Sequence, residues 1–507
     1  MDYLIGIDIG TSGTKTVLFD IDGNTIASAV SEYPLYQPFN GWAEQDPEDL
    51  WSAVQITLRE VLRVSEIKPA DIKGIGLSGQ MHGLVLLDKD GKVLRKSIIW
   101  CDQRTDKECE QITELVGGKR LIEITGNPAL TGFTASKILW VRNNEPEVYA
   151  EAATILLPKD FIRYKLTGEF ATDVSDASGM QLLDIWKRDW SEEILQKLKI
   201  DKKLLGKVYE SPEITGLITE EAARLTGLAK GIPVVGGAGD QAAGAVGNGI
   251  VKSGIVSSTI GTSGVVFAYT DKVTIDPDGR VHTFCHAVPG AWHVMGVTQA
   301  AGLSLKWFRD NFCEMEKIQA EEEGKDPYQV MNEAIEKIEV GSEGVIYLPY
   351  LMGERTPHLD PFARGVFFGL SARHSKNHLM RAVMEGVGYS LKDCMEIIQG
   401  MDIPVSEVRA SGGGGKSDVW RQIQADMFKM EVVTINSDEG GALGVAILAG
   451  VGAGLFSSVQ DGCEKLIKIK LTKQPIKANE AYYEVHHQLY RRIYNSLKQD
   501  FKMASEL

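Results

Sequence analysis

The hydrophobic pattern at the start of the chain has no helical period. Leu4–Val17 reads LIGIDIGTSGTKTV: an apolar run into Asp8 and Ile9, a glycine-bounded turn at Gly10-Thr11-Ser12-Gly13, and a second run coming back. Strand, glycine turn and strand make a hairpin and a poor helix. The turn leaves backbone N–H groups uncovered beside small hydroxyl residues, and amides aimed at one point form an anion nest. Asp8, at the last strand position before the turn, then sits beside the anion. A divalent cation lying between the two would explain that placement.

The same pattern returns half a chain later. Ile260-Gly261-Thr262-Ser263-Gly264 repeats Ile9-Gly10-Thr11-Ser12-Gly13 at an offset of 251 positions, again between β-branched runs. A five-residue coincidence is the alternative, but the matching strand context and the half-chain spacing favour a duplicated unit. Two such hairpins are expected to clasp one polyphosphate from opposite sides. The repeat fails where charge matters, because Asp8 aligns with Thr259. One half is therefore expected to carry the cation and the other phosphate only.

Between the hairpins, strand and helix patterns alternate. Thr25–Val30 reads as a third strand, and Asp46-Pro47-Glu48 opens a helix whose apolar face is Leu50, Trp51, Val54, Leu58, Val61 and Leu62. Short strands are expected at Lys73–Leu77, Leu84–Leu87 and Ile232–Val235. Together they describe a mixed sheet covered on both faces. The second half predicts a hairpin over 255–269, strands at 281–287 and 292–297, a helix from about Ala301 and a long helix at 374–400. Residues 314–325 are charged and without apolar period, and so form a solvated helix or loop. Residues 352–365 form a loop long enough to edge a cleft, and 479–496 a closing amphipathic helix with His486-His487 on its surface. With 507 residues, two units are expected, 1–245 and 246–507.

Composition narrows the partners. A net charge of −15 argues against nucleic-acid or anionic-membrane binding. The six cysteines are scattered with no metal-ligand spacing, as in reduced cytoplasmic thiols. The N-terminus runs straight into a strand and leaves no room for a signal peptide. The most apolar late stretch, 440–456, is too short and too rich in Gly and Ala to span a bilayer.

Three segments carry candidate chemistry. Ser78-Gly79-Gln80-Met81-His82-Gly83 lies between two strands, where open α/β sheets hold ligands. It offers two polar contacts and an apolar wall, although a lone His82 could equally serve a loop carbonyl. Gly236–Gly244 imitates a dinucleotide fingerprint, but no acidic residue follows at the ribose spacing. What it presents instead is one carboxylate, Asp240, on a glycine-rich turn after a strand. Arg409–Met427 imitates a phosphate-binding P-loop at Gly415-Lys416-Ser417 but has Ala410 where that motif needs glycine. Strand, glycine loop and helix suit close packing of a flat adenosine ring there, with Lys416 within reach of phosphate. Asp102 and Arg104, after the strand ending near Trp100, read either as cleft-bordering residues or as a structural ion pair.

The two hairpins, Gly132–Trp140 (GFTASKILW) and Gly365–Glu385 (GVFFGLSARHSKNHLMRAVME) together resemble the FGGY family of carbohydrate kinases, within the actin-like and hexokinase-like ATPase superfamily. The likeness covers nearly the whole chain. It implies an α/β fold of two actin-like, ribonuclease-H-like ATPase domains with a catalytic cleft between them, using ATP and Mg2+. Thr11, Ser12, Gly261 and Thr262 would hold phosphates, with Gly302, Gly413 and Ser417 at the nucleotide. Relatives often have Asn where this chain has Ser417. Asp8 would serve catalysis by holding magnesium through water. Asp240 would take the proton of the attacking sugar hydroxyl, with Gln241 standing where many relatives have Asn. The Gln-Met-His-Gly run is similar to that of the family's D-xylulose-specific members, in which the pair matching Met81 and His82 contacts the sugar. The resemblance thus implies phosphorylation of D-xylulose to D-xylulose 5-phosphate in pentose catabolism. Its partners would be a sugar and ATP, in a cytoplasmic chain for which a homodimer is open. Another ketose or polyol substrate, an actin-like ATPase without a sugar and a silent sugar sensor are the competing readings.

Overall fold

A computed structural model describes residues 2–505. Seven strands build the first sheet: β1 (Tyr3–Ile9), β2 (Gly13–Asp20), β3 (Thr25–Glu32), β4 (Ile72–Gly79), β5 (Ile214–Leu217), β6 (Pro233–Val235) and the short β7 (Ala238–Gly239). Seven more build the second: β8 (Gly254–Ile260), β9 (Gly264–Thr270), β10 (His282–Cys285), β11 (Trp292–Thr298), β12 (Val405–Ser411), β13 (Val432–Ile435) and β14 (Ile469–Lys473). The helices that matter for the site are α1 (Pro47–Ser65), α2 (Thr134–Asn144), α3 (Pro158–Thr167), α4 (Asp240–Gly247), α5 (Gly302–Phe312), α6 (Pro327–Ile335), α7 (Lys376–Gly400), α8 (Asp418–Phe428), α9 (Gly440–Gly452) and α10 (Lys477–Ala504).

The duplication read from two short hairpins extends through both sheets. The first runs β5–β6–β4–β1–β2–β3, with β7 beside β4, and the second β14–β13–β12–β8–β9–β11, with β10 added outside. Strand directions agree at every step. The three hairpin strands are antiparallel, the next two run parallel to the first, and the far edge strand turns back. This is the two-domain α/β architecture expected from the sequence. The first helix also starts where Pro47 foretells, with the Asp46 carboxylate accepting the Glu48 N–H.

The sheets are joined by two helices in corresponding places, α4 after β6 and α9 after β13. Helix α9 (GGALGVAILAGVG) is apolar on all sides and buried from Ala442 to Gly450, as such a helix must be. It lies on the first sheet although it belongs to the second half of the chain. Gly6 of β1 and Gly76 of β4 face it, and a side chain at either would collide with the Ala442 or Val445 carbonyl. Where α9 crosses α4, backbone meets backbone: a methyl on Gly444 would overlap the Ala243 carbonyl. The bare stretch that could not span a bilayer is thus a core helix, and no described helix is long and apolar enough to cross a membrane.

Two local expectations are settled here. Residues Glu314–Glu323 form a helix with only Ala320 buried, a solvated element as read. His487, by contrast, is not a surface residue. Position 487 shares the inward stripe of α10 with Tyr483, Tyr490 and Tyr494, and its Nε2 meets Asp393 Oδ1 of α7 at 2.9 Å. Isolated polarity suggested the surface, but the helical period decides.

Because the α4–α9 crossing has no room for a Cβ, Gly444→Ala is expected to cost on the order of 1–3 kcal/mol or more through overpacking. Urea unfolding of the pure proteins checks this, and an unchanged midpoint would show that the two helices can move apart freely.

Candidate functional site

Both hairpins end beside a hydroxyl-bearing neighbour. Asp8 pairs in register with Ser78 of the parallel strand β4, and Ser78 Oγ donates to Asp8 Oδ1 at 2.7 Å. Thr259 pairs in the same way with Ser411 of β12, their hydroxyl oxygens also 2.7 Å apart. The two halves therefore keep the same contact, with a carboxylate in one and a hydroxyl in the other. Each turn is closed by its first glycine, but onto different partners: Gly10 N donates to Gly13 O at 3.0 Å and Gly261 N to Ser263 O, one residue nearer, at 2.9 Å.

The first turn is braced from below. Gln45 Nε2 donates to Thr11 O at 2.6 Å, and Gln80 Nε2 donates to Gln45 Oε1 at 2.6 Å. Trp100 Nε1 occupies the Thr11 hydroxyl at 2.9 Å, leaving Ser12 exposed at the tip. Neither Thr11 nor Ser12 lines either of the two cavities of the cleft.

Those cavities meet end to end. One, of about 600 Å³, gathers Gly261, Thr262, Gly302, Gly413 and Ser417, five of the residues read as nucleotide contacts. Leu303, Tyr328 and Trp420 add apolar walls, and Gln329 and Asn332 of α6 add amides that sequence reasoning missed. The other, of about 780 Å³, runs from Asp240 and Gln241 past Thr259 and Ser411 to Gly413 and Lys416. Gly413 and Lys416 line both, so the single helical glycine turn Gly412–Lys416 after β12 is the passage between them. Lys416 is exposed, with its Nζ 3.7 Å from Asp438 Oδ2.

Met81 and His82 follow β4 and line neither of these cavities. Methyl groups placed on Gly179 and Gly239 would each come within 3 Å of the Met81 side chain, so these bare positions make its seat. His82 has a positive φ of 72°. It is held there by its own carbonyl, which accepts from Lys137 Nζ at 2.9 Å and from Thr134 Oγ1 at 3.0 Å, both on α2. The imidazole stands 4.6 Å from the Phe133 ring and 6.3 Å from Phe284 of the second half. Its Nδ1 is 2.7 Å from the Gly179 carbonyl, which can only accept, so Nδ1 carries the proton. Burial, with the Lys137 charge next, holds the imidazole pKa well below its ordinary value. The ring is therefore neutral, and Nε2 is left as a hydrogen-bond acceptor. The signal for Lys137 lay in the GFTASKILW stretch, but its use, a buried ammonium gripping the His82 and Gly132 carbonyls, needs the tertiary structure.

Asp240 begins α4, and its Oδ1 accepts from Gln241 N at 2.8 Å. Beneath it lies a buried ionic floor. Lys159 Nζ reaches Asp160 at 2.7 Å, Asp173 at 3.0 Å and Asp176 at 3.5 Å, while Arg163 bonds Asp160 and the Gly236 carbonyl. Burial first, and then the Asp8 charge, pushes Asp240 up to about 7. Asp8 is also raised, since burial outweighs the help of Ser78 and Lys15. Lys15, beside Asp8 on β2, is turned toward Glu439 at 2.5 Å. Arg355 of the 352–365 loop comes close enough to His82 and His282 to help keep both unprotonated. Asp102 and Arg104 prove to be a buried ion pair, 2.6 Å apart, with the guanidinium 3.6 Å over the Trp42 ring.

The N-terminal-domain model of the FGGY family of carbohydrate kinases matches residues 3–247, and the C-terminal-domain model matches residues 256–453. The chain belongs to this family. This FGGY kinase is 40% identical to the xylulose kinase of Bacillus subtilis (strain 168) over 98% of both chains. It is also 40% identical to the xylulose kinase of Escherichia coli (strain K12), over 97% of this chain and 99% of that one. Ligand-bound xylulose kinase from Lactobacillus acidophilus superposes with a TM-score of 0.91 at 30% identity, covering 99% of this chain and 100% of the other.

A carboxyl raised in the fold makes stability pH-dependent whatever its chemical role. Between the ordinary carboxylate range near 4 and about 7, the folded kinase holds on Asp240 a proton that the unfolded chain has released. Stability from this group is therefore present at low pH and lost as pH rises through 7. The Asp240→Asn variant escapes that loss. Its melting temperature relative to wild type should climb from pH 4 to 7 and level above. A difference that stays flat with pH would place the Asp240 pKa in the ordinary range.

Proposed function

We propose that this kinase transfers the γ-phosphoryl group of ATP to D-xylulose, giving D-xylulose 5-phosphate. The observation that carries the reading is Asp240, a carboxyl poised near pH 7 at the end of the cavity that adjoins the nucleotide slot, next in the chain to Gly239, which seats Met81. A general base works best with a pKa near the working pH. Full-length similarity to proteins named xylulose kinases supports the sugar.

On this reading residues 1–245 form the sugar-holding unit and 246–507 the nucleotide-holding unit. The nucleoside occupies the 600 Å³ cavity, and its phosphates pass Gly413 and Lys416 with Gly261 and Thr262 on one side. Thr11 and Ser12 close from the other side when the cleft shuts. His82 accepts a sugar hydroxyl at Nε2, Met81 provides an apolar wall, and Gln241 offers an amide. Asp240 takes the proton of the terminal hydroxyl as that oxygen attacks phosphorus in line and the ADP oxygen leaves. Little covalent work is required of the protein beyond alignment and charge neutralisation.

A divalent cation fits the chemistry of the donors. Asp8 and Asp240 are both buried and both raised, and the Asp8 charge adds to the shift of Asp240, a conflict that a cation relieves. Among the described residues no group of three or more metal-ligating side chains exists, so the protein offers Asp8 and leaves the rest to water and phosphate oxygens. That suits Mg2+, which dehydrates reluctantly and neutralises phosphate charge when bound. The cytoplasm is the matching compartment for such a substrate pair.

Two measurements test the reading. ADP release assayed with pentuloses, hexuloses, pentitols and glycerol should give the highest kcat/KM for D-xylulose. A tenfold preference for glycerol or a hexulose would overturn the choice of sugar. In the second, Asp240→Ala should lower kcat by about 10²–10⁴, and wild-type kcat/KM should fall tenfold per pH unit below about 7. A folded variant with near-normal turnover would remove Asp240 from the chemistry.

A further inference from the structure

The outer wall of the nucleotide cavity is α6, a helix to which the sequence reading gave no role. Its N-terminus is capped by Asp326, whose carboxylate accepts the Tyr328 N–H at 2.7 Å. Gln329 and Asn332, three positions apart, present their amides on one face toward the cavity. Across from them the wall is bare backbone. A side chain on Gly413 would find only the Ile260 carbonyl within 4 Å, at 3.9 Å, so the glycine turn faces open space. Leu303 and Tyr328 complete a slot for a flat ring.

Ser417 decides how the Asn332 amide points. Its Oγ accepts the Trp420 N–H at 3.2 Å, capping α8, and so its own proton must go elsewhere. The acceptor within reach is Asn332 Oδ1, at 3.1 Å. With Oδ1 committed to Ser417, the Asn332 Nδ2 hydrogens are left to the cavity, and no described protein group accepts them. We propose that Asn332 is a nucleoside-recognition residue, its Nδ2 donating to an acceptor atom of the bound purine nucleoside. Ser417 serves as the positioning residue that fixes the amide. This rests on the nucleotide reading of the cavity given above and adds to it the group that meets the nucleoside.

Calorimetric ADP binding to the full chain tests the assignment, run on wild type, Asn332→Ala, Ser417→Ala and the double variant, with melting of each in the absence of nucleotide. Loss of one donor predicts ADP affinity about threefold to tenfold weaker in Asn332→Ala, with KM for ATP rising by the same factor and KM for D-xylulose unchanged. Ser417→Ala should weaken ADP less. The double variant should be no weaker than Asn332→Ala alone, since one residue acts through the other. If Asn332→Ala lowers the melting temperature but leaves ADP affinity intact, the residue merely ties α6 to α8 and the proposal is overturned. Additive losses would overturn the positioning role of Ser417. A wild-type chain that binds no ADP at all would remove the nucleotide reading itself, an outcome distinct from both.

Discussion

The crossing of α4 and α9 is the constraint on which the molecule depends. Two helices that touch through bare backbone bring the ends of two sheets to one point. Asp240 is the first residue of α4, and the first turn of α9 comes up against Asp8, where a methyl on Gly441 would stand 3.2 Å from Asp8 Oδ2. Each half of the chain thus delivers a helix to the other half. Neither sheet is complete as a site without that exchange.

That closeness has an electrostatic consequence. Two carboxyls are drawn into a corner with little water, and both become reluctant to ionise. Such a corner is poor for stability and useful for chemistry, because a group that titrates near neutrality can take a proton and give it back. The ionic floor of Lys159, Arg163 and their aspartates ties down the turn above it through the Gly236 carbonyl. On the proposed role of Asp240, rigidity there matters more than the strength of any single pair, since a base must stay in line with the hydroxyl it serves.

Much of this was legible in the residues. The hairpin repeat forecast a duplicated sheet, and the Asp8-for-Thr259 exchange marked its asymmetry. The structure keeps both, down to the matched contacts of Asp8 with Ser78 and Thr259 with Ser411. Gly261, Thr262, Gly302, Gly413 and Ser417, expected at a nucleotide from separate segments, converge on one cavity. Less legible were residues whose meaning lies in a distant partner. Lys137 looks like an ordinary helix lysine until its ammonium is found on the His82 carbonyl, 55 positions away. Asn332 has no motif around it and becomes visible only through Ser417. His487 looked like surface because a pair of histidines says nothing about which way the helix turns.

The sequence alone determined what local pattern can determine. Alternation and glycine turns specify hairpins and strands, and an all-apolar helix can only be buried. Tertiary structure decided which of these elements face each other. The Asp240 pKa, the neutral His82 with its bare Nε2, and the direction of the Asn332 amide all follow from neighbours dozens to hundreds of residues away. Desolvation and hydrogen-bond partners are properties of a place in the fold, and no short stretch of chain contains them.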